Sequence, residues 1–284
     1  MTGVFPPRLC ARFLALVALA AVFAGCVADA RGEHREIGAR RALERKIFTD
    51  AEIANGFFKV AFGAELGFGG RVDRIRKYTK PVRIYIENAA KPDRRAAIGS
   101  VVADIRARIA NLDIALTTRR EEANFVVRLV RDRGLAAAVR KVYGARSDEI
   151  VRSLEPQCLS GFRKDAEYRI TRSDVILVVD RGDFIFYDCA YEELLQALGP
   201  IRDDPSVPWT MFNDDVQMGF FGVYDQYILN ILYHRRVRPG MTKKEVRAIL
   251  PAIMPDVRAW VARKNGLDPK PPAEGDKSGK RRRK

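Results

Sequence analysis

Histidine is nearly missing from this chain. Only two occur among 284 residues, His34 and His234. Chemistry that needs a histidine base beside a nucleophile, or several imidazoles around zinc, has little to draw on. No G-x-S-x-G occurs, which removes the nucleophile elbow of the α/β hydrolases. Gly67, Gly69 and Gly70 are not followed by G-K-[ST], so no phosphate loop is read there. Cysteine is scarce too: Cys10, Cys26, Cys158 and Cys189. The apolar run from Phe13 to Gly25 is too short for the roughly 20 residues of a membrane-spanning helix.

Positive charge, by contrast, is abundant. Lys and Arg number 51 against 36 Asp and Glu, a formal charge of +15. That balance permits contact with nucleic acid, anionic lipid or wall polymer. The N-terminus chooses among them. Arg8 and Arg12 lead into the short apolar run, and small residues follow it. Together they read as a bacterial secretory signal over residues 1–25. Phe23-Ala24-Gly25-Cys26 reads as a lipobox, with Cys26 lipidated and the protein anchored to a membrane, the outer membrane ahead of the inner. A rival site at Ala28-Asp29-Ala30 releases a soluble protein starting at Arg31. Both routes lead to the periplasm. Nucleic acid then drops out of the expected partners, and anionic envelope polymer, lipid or protein remain. In an oxidising periplasm, Cys158 and Cys189 are expected to form a disulfide, being the only cysteines of the folded part.

Periodicity divides the rest of the chain. Residues 26–46 are polar, a tether or a loose leading helix. Residues 47–266 read as one domain. Residues 267–284 read as a disordered basic tail, ending in Lys280-Arg281-Arg282-Arg283-Lys284. The first domain helix has a capping box, Thr49 with Glu52, and a staple of Phe48 and Ile53. Val82, Ile84 and Ile86 alternate as the inward face of a strand. Ile98 to Leu112 carries the apolar face of a long helix ending near Asn111. Ile114–Thr118 and Ala123–Val130 read as strands. A short helix is expected around Ala136–Val142, then a loop. Tyr168–Arg172 and Val175–Asp180 read as a hairpin or successive strands. A helix comes next over Tyr224–Tyr233. Thr242 and Glu245 open a last helix that reaches about Arg263, interrupted at Pro251 and Pro255.

The chain is organised around residues 188–200. Leu194, Leu195 and Leu198 form an apolar face; Asp188 stands where an N-cap belongs, and Gly199-Pro200 stop the helix. Its spacing resembles the H-E-x-x-H-x-x-G-x-x-H of metzincin metallopeptidases. Glu192 stands for the first His, Glu193 for the general base, Gln196 for the second His, Gly199 for the turn and Arg202 for the third His. Met211-Phe212-Asn213-Asp214 is similar to the methionine turn of that group. Asp225 to Tyr233 is similar to the helix that follows it. The stretch from about Phe48 to Met241 also resembles an uncharacterised bacterial family, domain of unknown function 2927. The residues that match are Cys189, Glu192, Glu193, Gln196, Ala197, Leu198 and Gly199, then Met211 to Asp214.

These resemblances imply a fold class of α/β (α+β) and a single metzincin-like domain. It would hold a twisted mixed sheet, a long backing helix, the central motif helix and C-terminal helices. They imply an exported envelope protein and supply no reaction.

The ligands themselves have changed. Gln196 is a neutral amide and a poor zinc ligand, and Arg202 is a permanent cation. Asp203 is one residue off register. A set of Glu192, Gln196 and Asp203 would favour a hard ion such as calcium over zinc. No metal and no cofactor is therefore expected, and Arg202 is expected to reach back to Glu192 or Glu193. Glu193, Asp214 and Asp215 are the candidates for acid–base work without metal. Two function classes stay open. One is a non-catalytic binding protein with a peptidase-like cleft. The other is an unconventional hydrolase or peptidase using Glu193.

Overall fold

The computed structural model describes residues 34–63, 73–154, 158–200 and 202–272. Cys26, both expected cleavage sites, residues 67–70 and the final basic run lie outside the described residues. The chain divides after Arg35 into a first unit, Met1–Arg35, and a second from Glu36 onward. The second unit contains every described strand and the helices from Asp50 onward.

Strand β1, Val82–Asn88, alternates over its first residues, with Val82 and Ile84 fully buried and Ile86 only half-buried against the same core. Helix α3, Arg95–Arg108, carries the chain over to the parallel strand β2, Ile114–Leu116. A parallel pair needs such a crossover. Strand β3, Phe125–Val130, is buried nearly throughout, as a central parallel strand covered on both faces should be. Strands β4, Cys158–Lys164, and β5, Ile170–Val178, complete the sheet. The strand order is β2-β1-β3-β5-β4. All neighbours run parallel except β4, which pairs antiparallel with β5 at one edge.

Strand β5 sends alternate side chains to two cores. Val175 and Leu177 join the large one, together with helices α2 (Asp50–Val60), α3, α6 (Asp183–Gln196), α7 (Val223–Leu232) and α8 (Lys243–Asn265). Ile176 and Val178 face a small one, closed by Leu135 and Val139 of α4 (Leu135–Tyr143) and Ile150 of α5 (Ser147–Leu154). The stretch expected as a loop after Val142 is thus partly helical, because the outer face of β4 and β5 needs a cover. The α/β (α+β) class expected from the sequence is the one observed.

Both capping boxes are present. Thr49 and Glu52 bond reciprocally at the start of α2, as do Thr242 and Glu245 at the start of α8. Helix α8 runs through Pro251 and Pro255 without the expected break. The two prolines are exposed and four residues apart, so the hydrogen bonds they cannot make are missing from the solvent side only. Within the polar stretch expected as a tether lies α1, Arg35–Leu43. Its Arg40 donates to the carbonyl of Gln217 at 2.6 Å, and Ile37 is buried. No described helix is long and apolar enough to cross a membrane.

The disulfide is formed. Cys158 opens β4 and Cys189 sits inside α6, with Cα atoms 5.8 Å apart. The bond ties the edge strand to the helix that carries the motif.

Candidate functional site

Helix α6 starts at Asp183, five residues earlier than its sequence suggests. Asp188 is therefore not an N-cap. Its carboxylate turns outward from mid-helix and accepts the backbone N–H groups of Met218 (2.6 Å) and Gly219 (2.9 Å). The end of the helix is as read. Gly199 has a φ of 141°, and a Cβ there would collide with the Arg76 carbonyl oxygen. Only glycine satisfies both conditions. The chain turns there into the segment that carries Asp203, Met211, Phe212 and Asp214.

That turn brings three carboxyl groups together. Oxygens of Glu192, Asp203 and Asp214 lie within 4.8 Å of one another. Gln196, one turn beyond Glu192 on the same helix face, is clamped. Its Nε2 donates to Asp203 at 2.9 Å, and its Oε1 accepts the Ser160 hydroxyl of β4 at 3.2 Å. These two bonds fix the amide orientation. They also remove Gln196 from the hard-ion set expected with Glu192 and Asp203, since its oxygen is engaged elsewhere. Asp214 takes that place.

Glu193 is buried, with 7% of its surface exposed, on the inner side of α6. Arg202 does not reach either glutamate. Its side chain lies against the backbone of Gly63 and pairs with Asp204 at 3.8 Å. Asp204, two residues on, offers it a carboxylate outside the crowded acids of the cleft. Asp215 is exposed and stays out of the carboxyl cluster, its N–H donating to the Asn213 side chain. His234 lies past the end of α7, with Asp256 at 3.5 Å. It takes no part in the cleft.

Crowded acids hold protons. Burial raises Glu192 well above the ordinary carboxyl value, and Glu193, Asp203, Asp188 and Asp214 push it the same way. Burial and Asp214 bring Asp203 up to about 6, against the lowering effect of the Gln196 bond. Within the cleft, burial and mutual repulsion thus favour the protonated forms of Glu192 and Asp203 more than open water would.

The Met211–Phe212 turn is buried and built on a carboxylate. Asp225, in the first turn of α7, accepts the Thr210 hydroxyl at 2.5 Å and the Met211 N–H at 3.1 Å. At the other end of α7, the Tyr233 hydroxyl donates to the Leu198 carbonyl at 2.9 Å. Helix α7 thus fixes both the turn and the end of α6. The sequence places Asp225 and Tyr233 in a motif without giving them a task. An acid among the large apolar residues of α7 is the signal that points to one. Glu44, in the polar stretch before α2, carries no such signal. Its carboxylate accepts the Val223 N–H at 2.5 Å and joins that region to the start of α7.

No curated protein matches the chain. A family model described as protein of unknown function (DUF2927) matches residues 50–252, more than half of the sequence and all of the carboxyl cleft. The chain belongs to this DUF2927 family.

Proposed function

We propose that the protein is an exported, lipid-anchored envelope protein whose α6 cleft is a non-catalytic binding site on a metzincin-like fold. The clamped Gln196 carries this reading. At the position where the spacing places a second histidine, the side chain is held between Ser160 and Asp203. What remains on that face is carboxyl chemistry, which suits a ligand rich in hydrogen-bond donors. Elemental analysis of protein purified without chelator is expected to find well under one zinc per chain. Chelator is expected to leave the melting temperature unchanged. Stoichiometric zinc, lost together with stability on chelation, would overturn the binding reading and put a peptidase in its place.

The second reading, an unconventional hydrolase, is favoured by one observation. Glu192 and Asp203 are both raised by burial and by neighbouring carboxyl groups, and carboxyl groups crowded in one site are what acid–base chemistry uses. Glu193, which the spacing marks as the base, is more deeply buried than either partner of that pair.

The export part rests on the basic start, the short apolar run and Cys26, and the Cys158–Cys189 bond supports an oxidising compartment. Membrane attachment then comes from the lipid, and the basic tail supplies a further contact with anionic polymer or lipid. Cys26→Ala is expected to abolish lipid labelling and partitioning into detergent. Unmutated protein cleaved after Ala30 and found soluble would sink the lipoprotein assignment.

A further inference from the structure

Helices α2 and α8 leave a groove between them, remote in chemistry from the acidic cleft. Its volume is about 640 Å³. That falls within the roughly 300–1,000 Å³ of small-molecule sites. Ala54, Phe58, Leu250 and Met254 make its apolar floor, and Lys59, Lys243 and Arg247 stand around it. The one carboxylate among the lining residues, Asp50, is paired with Arg258 at 2.5 Å. Lys59 donates to the Ser206 hydroxyl at 2.6 Å. Lys243 and Arg247 are four residues apart on one face of α8. The Arg247 guanidinium lies 4.9 Å over the Phe58 ring, and the Lys243 ammonium 5.5 Å from that of Phe62. Both cations are thus laid along the edge of the apolar floor.

The charge decides the occupant. Lys243 has only a long 3.8 Å pairing with Asp73, and Arg247 lies over an aromatic ring, so a neutral apolar segment would fill the floor without answering their charge. A second copy of the chain, docked by a two-fold axis, would set Lys243 and Arg247 against their own equivalents. An acyl chain ending in an anion satisfies both parts. We propose that the α2–α8 groove binds a single-chain anionic amphiphile of the fatty-acid type. Its chain lies on Phe58, Leu250 and Met254, and its carboxylate sits between Lys243 and Arg247.

The test is calorimetric titration of the full chain with dodecanoate, and with dodecyltrimethylammonium as the cation of equal tail. One dodecanoate per chain is expected, bound about tenfold or more tighter than the ammonium, as charge-assisted contacts imply. Lys243→Ala with Arg247→Ala should weaken dodecanoate by about tenfold and leave the ammonium unchanged. Ala54→Trp, which fills the groove from α2, should abolish dodecanoate binding at an unaltered melting temperature. If that variant fails to fold, the charge variants decide alone. Equal affinity for the two head groups, or no saturable binding, overturns the proposal. So does a dimer that Ala54→Trp converts to monomer, because the groove would then belong to a second copy.

Discussion

Reduction of the Cys158–Cys189 bond is expected to cost roughly 3–4 kcal/mol, by the loop-entropy relation for a loop of this length. The two cysteines are separated by 31 residues. In a domain of this size that corresponds to a fall of roughly 10 °C in melting temperature. The loss should not be uniform. Strand β4 is an edge strand, held by β5 on one side only. It also supplies Ser160, which orients Gln196. Freed from α6, the edge strand should loosen first and release the Gln196 clamp with it. Hydrogen exchange on oxidised and reduced protein would therefore show early loss of protection over residues 158–164, before the β1–β3 pair. Thiol titration of denatured, unreduced protein should find no free thiol in the folded part. Unchanged melting on full reduction would show that the bond is dispensable and that packing alone holds β4 to α6.

Much of this architecture is legible because it rests on local rules. Thr49 with Glu52 and Thr242 with Glu245 announce two helix starts, and both form. The spacing of Glu192, Gln196 and Gly199 marks a turn at the helix end, and Asp203 rather than Arg202 comes to lie beside Glu192. What sequence cannot supply depends on distant partners. Strand β4, CLSGFRK, lacks a clean alternation because it is an edge with exposed basic residues at one end. Strand β5 reads as two pieces because Ser173 and Asp174 interrupt its apolar run. Both are accounted for by tertiary bonds. The Ser173 hydroxyl donates to the Ala197 carbonyl at 2.8 Å, and Asp174 pairs with Arg128 at 2.7 Å. The direction of Arg202 departs from expectation for a similar reason. In sequence the acids that matter are Glu192 and Glu193, but the fold brings Asp204 of the same turn within reach of Arg202 instead. Asp188 resembles an N-cap until the preceding five residues are seen to belong to the helix. The expected signal and lipobox and the charged tail lie outside the described residues, so their test is biochemical.

Acidification from about pH 8 to pH 5 is expected to stabilise the protein, and Asp225→Asn to remove most of that gain. Asp225 is fully buried, and burial pushes its carboxyl up to about 7 even though the Thr210 and Met211 bonds favour the charged form. Glu192 and Asp203 are raised in the same direction. A carboxyl held above its unfolded value binds more protons in the native chain than in the unfolded one. Its stabilising effect is complete below the unfolded value and is lost as pH climbs through the folded value. For Asp225 the interval runs from the ordinary 3.8 to about 7, on the order of 4 kcal/mol across the whole range. Other carboxylates set the lower limit. Asp174 is lowered, since bonds from Arg172 and Arg128 outweigh its burial, and Asp93 is brought down to about 2 by Arg95. Their contribution is lost only as pH falls through those lower values. Stability should therefore peak at mildly acid pH and decline toward pH 8. Asparagine at 225 cannot titrate and mimics the protonated carboxyl, one acceptor and one donor group, so at pH 5 it should lie within about 1 kcal/mol of the unmutated protein. Between pH 5 and 8 its curve should be much flatter. Urea unfolding at four pH values checks this, with Glu192→Gln combined with Asp203→Asn as the companion variant. A stability that rises steadily from pH 5 to 8 in the unmutated protein would contradict the assignment. A slope that survives Asp225→Asn but vanishes in the companion would move the titration from the Met211 turn to the cleft.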